Sequence, residues 1–208
     1  MDRPTLPDIP LAAGERTVLD AFLDFYRAAL LDRAWGLDPD QLHIRHEPSS
    51  LTLARLIGHM TGVEMGWFLE TLDGEAPPAH IEALDWEADP DAEMTRADAL
   101  STDQLLGEFT AQCDDSRRRA AAAASLDQLS VGTSRSGEQF NLRWIMVHMI
   151  EEYARHCGHA DLIRESIDGD VASGPRCHSP LSPAPPSRCV GVGGGGGGGA
   201  AHCQRGGG

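Results

Sequence analysis

The chain has 208 residues, within the usual range for one domain, and its 17 basic and 32 acidic side chains give a formal net charge of −15. This excess of acid argues against nucleic acid or an anionic membrane as the main partner, because both are bound through basic faces. The apolar stretches are too short to span a bilayer, and no secretory leader opens the chain. Five irregularly spaced cysteines do not indicate a disulfide framework, so we expect a soluble cytoplasmic protein.

Four long segments carry apolar residues at helical spacing. The first, residues 15–35, stops at Gly36. Its charged residues Asp20, Asp24, Arg27 and Asp32 lie between the apolar positions. The second segment, residues 52–72, follows two serines, one of which is expected to be its N-cap.

The other two helices follow a long acidic connection, residues 74–100, which three prolines prevent from being one helix. Trp86 is expected to fix this connection to the body. The third helix, residues 102–124, begins with a capping box, and the fourth covers residues 141–167. The polar segment between them, residues 126–139, fits a short ribbon or a loop. The pattern predicts an all-α four-helix bundle in which the long connection allows a crossover.

The end of the chain differs in composition from the predicted folded domain, residues 1–170. Residues 171–208 are rich in glycine and proline and contain no acid, so they cannot bury enough apolar surface to offset their ordering entropy. We therefore expect a disordered tail. The potential ligands in it match no metal-binding spacing: Cys177, His178, Cys189, His202 and Cys203.

The fourth helix carries a row of polar residues along one face. His148, Glu152 and His156 are each four apart, and His159 continues the row. On the second helix, His59 lies between apolar positions. An imidazole and a carboxylate four residues apart can bind one divalent ion, zinc, nickel or iron, and a facing helix can supply a third ligand. In the alternative interpretation, the histidines are hydrogen-bonded core residues, and Glu152 pairs with Arg155 or Arg143 or faces water.

Two stretches, PSSLTLARLIGHMTGVEMGWFLE and WIMVHMIEEYARHCGHADLIRESIDG, resemble the DinB-like superfamily, above all its mini-circle-type branch. The resemblance covers approximately residues 15–169. It implies a four-helix bundle with a divalent metal held by three side chains. One is a histidine on the second helix, matching His59, and two lie four apart on the last helix.

The final motif of the superfamily matches HCGH, residues 156–159. This register makes Glu152 and His156 the ligand pair, since the mycothiol-dependent maleylpyruvate isomerase branch also has glutamate at that position. His148 with Glu152 is the alternative pair. Otherwise His148 is expected beside the ligands or facing substrate, and His159 is expected to orient a ligand or close the pocket.

Superfamily members of known activity are transferases and isomerases that use mycothiol, bacillithiol or glutathione. The resemblance therefore implies an S-transferase or isomerase for small electrophiles, in which the metal lowers the pKa of the attacking thiol. A metal-dependent hydrolase and a non-enzymatic metal-binding bundle stay open, as does a homodimer.

Further residues are candidates for the substrate side of the site. The expected walls of a cavity beside the ion are Trp67, Phe68, Met149 and Tyr153. The candidates for binding a substrate carboxylate, each with a surface role as the alternative, are Arg55, Arg143 and Arg155. Cys157 should point about a hundred degrees away from His156, as a core thiol rather than a nucleophile.

Overall fold

The computed structural model describes residues 2–171, and within them four long helices form the predicted bundle. The long helices are α1 (Glu15–Ala34), α3 (Leu53–Glu64, continued as a π-helix over Met65–Leu72), α6 (Thr102–Ala122) and α7 (Leu142–Asp168). The short elements are α2 (Pro39–Leu42), α4 (Ala79–Glu82), α5 (Ala92–Ala97), β1 (Leu129–Thr133) and β2 (Gln139–Asn141). The expected tail, with its cysteines and histidines, lies outside the described residues from position 172 onward.

Side-chain caps begin three of the long helices. The predicted capping box is confirmed, because the Ser101 hydroxyl accepts a hydrogen bond from the Gln104 N–H and the Gln104 side-chain oxygen accepts one from the Ser101 N–H. Asn141 caps α7 in the same position. The prediction that a serine caps α3 is wrong, because the N-cap is Thr52, the last extended residue before the helix. Its Oγ1 accepts a hydrogen bond from the Arg55 N–H at 3.0 Å.

Helices α1 and α7 run in the same direction. Near their starts the Arg143 guanidinium bonds to Glu15 at 2.7 Å, and near their ends Arg164 donates to the Arg33 carbonyl at 2.9 Å. Corresponding positions along the two helices therefore meet, as parallel neighbours require.

Helix α3 is antiparallel to α7 and parallel to α6. The His59 ring packs on the ring of His156, whereas Trp67, further along α3, packs on His148, which lies earlier in α7. Asp73 at the end of α3 bonds to Arg119 near the end of α6. The direction of the helices along the chain is thus up, down, down, up, and the connection between α3 and α6 is the crossover that the sequence allows.

The core contains a buried charged network that the sequence analysis misses. Arg27 forms a bidentate pair with Glu64, at 2.7 Å and 2.9 Å, and the Tyr153 hydroxyl donates to Glu64 Oε1 at 2.7 Å. The Cys113 thiol lies 4.0 Å from the same oxygen. Burial raises the pKa of Tyr153 well above its usual value, which keeps its hydroxyl a donor.

Arg27 and Asp32, which lie between the apolar positions of α1, are both buried with partners of opposite charge. Arg27 is neutralised by Glu64, and Asp32 lies between Arg3 and Arg33. Burial opposes the charge on Asp32, but the hydrogen bonds from the two arginines outweigh it and lower the pKa of this carboxyl.

Helix α5 attaches the acidic connection to the body by packing on α3. The Arg55 guanidinium on α3 bonds to Asp98 at the end of α5, with Nη2 to Oδ2 at 2.6 Å. Trp86 does not have the expected role: its side chain is 46% exposed. The connection is instead attached through α5, which packs on α3 at Gly58 and Gly62.

The segment between α6 and α7 forms the ribbon alternative, an antiparallel pair of β1 and β2. Gly132 of β1 lies so close to the backbone of Thr71 that a Cβ atom would approach it to 3.1 Å. The ribbon therefore packs on the π-helical end of α3. Among residues 2–171, no helix combines the length and apolar character needed to cross a membrane.

Candidate metal centre

Three of the predicted ligands converge where α3 passes α7. His59, Glu152 and His156 can each offer one ligand atom, and these atoms all lie within 4.8 Å of one another. Their side chains retain exposures of 20%, 17% and 12%, which places the cluster at the rim of the bundle rather than on its axis. The antiparallel packing of α3 and α7 brings the second-helix histidine to the i, i+4 pair on the last helix.

The distances within this cluster fit a small divalent ion. His156 Nε2 lies 3.3 Å from Glu152 Oε2, close to the separation of about 3.3 Å expected for two atoms held by one tetrahedral ion at about 2.0–2.1 Å. The widest separation that the cluster allows, 4.8 Å, would have to shorten by on the order of 1 Å when an ion binds. Rotation of partly exposed side chains can supply such a movement.

Polar atoms without partners concentrate at the same place. Four buried side-chain atoms of the described residues make no hydrogen bond, and three of them are His156 Nδ1, His159 Nδ1 and Glu93 Oε2. Burying such atoms costs about 1–3 kcal/mol each, so their clustering is typical of a site built to hold an ion or ordered solvent. The residues present therefore fit a metal ion.

The protonation of His156 suits metal binding. Burial, assisted by the neighbouring His59 imidazole, lowers the pKa of His156 to about 4. The ring is therefore neutral at pH 7, and neutral imidazole is the form that donates electrons to a metal.

His148 lies beside the cluster, against aromatic rings. It stacks on Trp144 with centroids 5.0 Å apart and meets the edge of Trp67 at 4.8 Å. Its Nε2 atom is 3.7 Å from Glu152 Oε1. His148 thus contacts the carboxylate from the side opposite His156, in the position predicted for a residue next to the ligands.

His159 also lies next to the cluster. Its ring centroid is 5.4 Å from that of His156, at an interplanar angle of 66°. The helical row predicted from sequence is therefore continuous in space from His148 to His159. The alternative interpretation, that Glu152 pairs with an arginine, is wrong: Glu152 lies between His148 and His156, whereas its neighbour Glu151 pairs with Arg155.

A residue that the sequence analysis did not single out contacts the first of these histidines. Glu93 on α5 lies with Oε1 at 2.9 Å from His59 Nδ1. The acidic connection shows no periodicity that distinguishes Glu93 from its neighbours. The only signal in the sequence is on α3, where Gly58 and Gly62 flank His59 with the spacing that lets another helix approach closely.

For Phe68, Met149 and Tyr153 the predicted role as cavity walls is wrong, because all three are fully buried in the core. Trp67 packs into an aromatic cluster with Phe140, Trp144 and His148. A cavity of about 380 Å³ lies instead between α3, α4, α5 and α6, with Glu93 in its wall.

The three candidate arginines all have carboxylate partners from the chain itself. Arg55 binds Asp98, Arg143 binds Glu15 and Asp127, and Arg155 binds Glu151. The structure thus supports their surface role.

Cys157 is a core thiol, as predicted. Its Sγ donates to the Tyr26 carbonyl at 3.6 Å, and burial raises the pKa of the thiol to about 12. At neutral pH such a thiol is protonated and poorly nucleophilic.

Comparison with known families gives one finding. A family model described as mycothiol-S-transferase matches residues 18–169, which hold the three converging side chains and nearly all of the four long helices. Comparison with curated proteins gives no match.

Proposed function

Since the chain belongs to the mycothiol-S-transferase family, we propose that it is a divalent-metal-dependent enzyme that joins mycothiol, or a similar low-molecular-weight thiol, to small electrophiles. The family supports the thiol, and the cluster at the rim of the bundle supports the metal. The single observation that carries the proposal is the convergence of ligand atoms from two helices to within 4.8 Å of one another.

We assign His59, Glu152 and His156 as the metal ligands. Two neutral imidazoles and one carboxylate suit zinc, nickel or ferrous iron. Three protein ligands also leave a coordination position for substrate, which is the usual difference between a catalytic and a structural site. The exposures of 12–20% mean that a small molecule can reach these side chains from solvent.

A divalent ion held there would lower the pKa of a thiol that reaches it and so supply a thiolate at neutral pH. In the transfer, the thiol sulfur forms a bond to an electrophilic carbon, and the leaving group departs with the electron pair of the bond that breaks. The thiol proton must go to a base. We assign this role to His148, because its partly exposed ring lies beside the proposed ligand Glu152, with Nε2 at 3.7 Å from Oε1.

The aromatic cluster supports an apolar electrophile. Trp67, Phe140 and Trp144 pack around His148 with centroid separations of 4.6–5.2 Å, and Trp144 is 45% exposed. This apolar surface continues along α7 from the proposed ligands toward solvent. A flat or apolar substrate would gain contact area there without placing a charge against the acidic body.

The proposal is tested with full-length protein purified without a histidine tag and loaded with zinc, nickel or ferrous iron. Mycothiol, bacillithiol and glutathione are each offered together with a chromogenic electrophile. We expect a conjugation rate that depends on both metal and thiol and that His59→Ala/His156→Ala abolishes. His46→Ala is the control, since this exposed imidazole lies 3.4 Å from the Ser166 hydroxyl, away from the cluster.

Three outcomes would contradict the proposal. No metal-dependent rate with any thiol would exclude the transferase. Product formed from an ester substrate without thiol would indicate a hydrolase. Stoichiometric metal without any turnover would indicate a binding bundle.

A further inference from the structure

We propose that Glu93 on α5 is a positioning residue that orients His59 and strengthens metal binding at the cluster. The inference rests on the proposed function, because it concerns the same metal site. It assigns a role to the connection between α3 and α6, which otherwise looks like a spacer.

A hydrogen bond joins Glu93 to the proposed ligand His59. A carboxylate can only accept, so the 2.9 Å contact between Glu93 Oε1 and His59 Nδ1 places the ring proton on Nδ1. The lone pair of the neutral ring is then on Nε2. The same ring packs against His156, with centroids 4.7 Å apart, so the donor nitrogen is available on the imidazole that meets the other two ligands. Ligand histidines in metal sites are commonly fixed in this manner by a carboxylate.

The close packing of α5 on α3 places Glu93 beside His59. Gly58 and Gly62 flank His59 on α3 and face α5. A Cβ atom on Gly58 would come within 2.6 Å of the Ala97 Cβ, and one on Gly62 would touch the Glu93 side chain at 3.5 Å. Because neither glycine has a side chain, α5 approaches α3 closely enough for the Glu93 carboxylate to reach the His59 imidazole.

The second carboxylate oxygen of Glu93, Oε2, is buried and has no hydrogen-bond partner. A carboxylate that served only to attach α5 would be better placed with both oxygens paired, as in Asp98, whose two oxygens accept from Arg55. A buried negative charge next to His59 is instead favourable when a cation binds to that ring.

The experiment compares Glu93→Ala and Glu93→Gln with the wild-type protein and with Asp98→Ala. Asp98→Ala is the matched control, because it removes an attachment of α5 to α3 but leaves the carboxylate on His59. The dissociation constant for Zn²⁺ is measured by competition with a chromogenic chelator. In the metal-free protein, the tautomer of His59 is read by long-range ¹H–¹⁵N NMR.

We expect Glu93→Ala to weaken zinc binding about 10–100-fold, the range for loss of such supporting carboxylates, and to shift the His59 proton from Nδ1 toward Nε2. Glu93→Gln keeps an accepting oxygen without the charge, so its affinity should lie between those of alanine variant and wild type. Asp98→Ala should match wild type in both measurements.

Two results would overturn the inference while leaving the proposed function intact. One is wild-type zinc affinity in both Glu93 variants. The other is an equal loss in Asp98→Ala, which would make the docking of α5, rather than the carboxylate, responsible. If the wild-type protein binds no divalent ion at the cluster, the proposed function fails first and this inference with it. Because Glu93→Gln is isosteric, it decides the matter if the alanine variant does not fold.

Discussion

The imidazole of His59 on α3 lies edge to face against that of His156 on α7, with centroids 4.7 Å apart and an interplanar angle of 68°. Each of the two imidazoles also contacts a carboxylate. Glu93 contacts His59, and Glu152 contacts His156. The pair thus has the composition of a cation site, and the consequences can be tested residue by residue.

The adjacent glutamates of α7 provide a matched pair of variants. Glu152 lies between two histidines, whereas the exposed Glu151 pairs with Arg155 and contacts only the Nδ1 side of His148 among these histidines, at 3.5 Å. We expect Glu152→Gln to reduce zinc affinity at least tenfold, because it removes an anionic ligand, and Glu151→Gln to leave it unchanged. The measurement is bound metal per chain after dialysis, by mass spectrometry. Equal metal content in the two variants would contradict the ligand assignment.

His148 separates the two ligand pairs that the sequence permits. If it accepts the thiol proton rather than binding the ion, His148→Gln should lower the conjugation rate about 10²-fold and leave the metal content at the wild-type level. Rate and metal content are measured on the same preparation. Loss of metal in this variant would instead support His148 with Glu152 as the ligand pair.

Both cysteines of the described chain should be inert in the native protein. Burial raises the pKa of Cys113 and of Cys157 to about 12, so about 10⁻⁴ of either thiol is ionised at pH 8. Iodoacetamide at pH 8 should therefore leave both unmodified in native protein and alkylate both in urea, as shown by peptide mass spectrometry. Rapid native alkylation of either residue would show that the buried environment opens. The same measurement establishes that conjugates come from added thiol.

The buried network should dominate stability. Glu64→Gln removes the buried counter-charge of Arg27 and leaves only the partly exposed Asp24, at 3.2 Å, so it should cost about 3–5 kcal/mol in the free energy of unfolding, measured in urea. Replacing both partners, as Arg27→Met with Glu64→Leu, should recover most of this loss. Glu108→Gln is the control: its partner Arg96 is partly exposed, so the cost should stay below about 1 kcal/mol. A similar loss in both single variants would contradict the special role of the buried pair.

The sequence predicted the long helices and the main candidates for the site, because both depend on local spacing. Capping residues and apolar periodicity place the helix ends. Helical spacing marks His59, His148, Glu152 and His156 as candidates, and the resemblance to the DinB-like superfamily selects His59, Glu152 and His156 among them. Glu93 was not predictable in this way. It reaches His59 from a segment without periodicity, through a contact that exists only after α5 has packed on α3.

The burial of Arg27 shows the same limit in another form. A charged residue between apolar positions normally faces solvent, and its partner Glu64 lies on a different helix, so nothing in the local pattern marks the pair. The prediction that Phe68 and Tyr153 line a cavity was wrong for a related reason. Both lie on the correct helices but are buried in the core, while the candidate ligands lie at the rim of the bundle.

The buried network draws one member from each long helix: Arg27 from α1, Glu64 from α3, Cys113 from α6 and Tyr153 from α7. An assembly without α1 would leave the Glu64 carboxylate without its counter-charge, and one without α3 would leave Arg27 with Asp24 as its remaining partner. We therefore expect intermediates with two or three docked helices to be poorly populated and folding to be cooperative. The four helices should melt in a single transition, and the ligands contributed by α3 and α7 should separate in that same step.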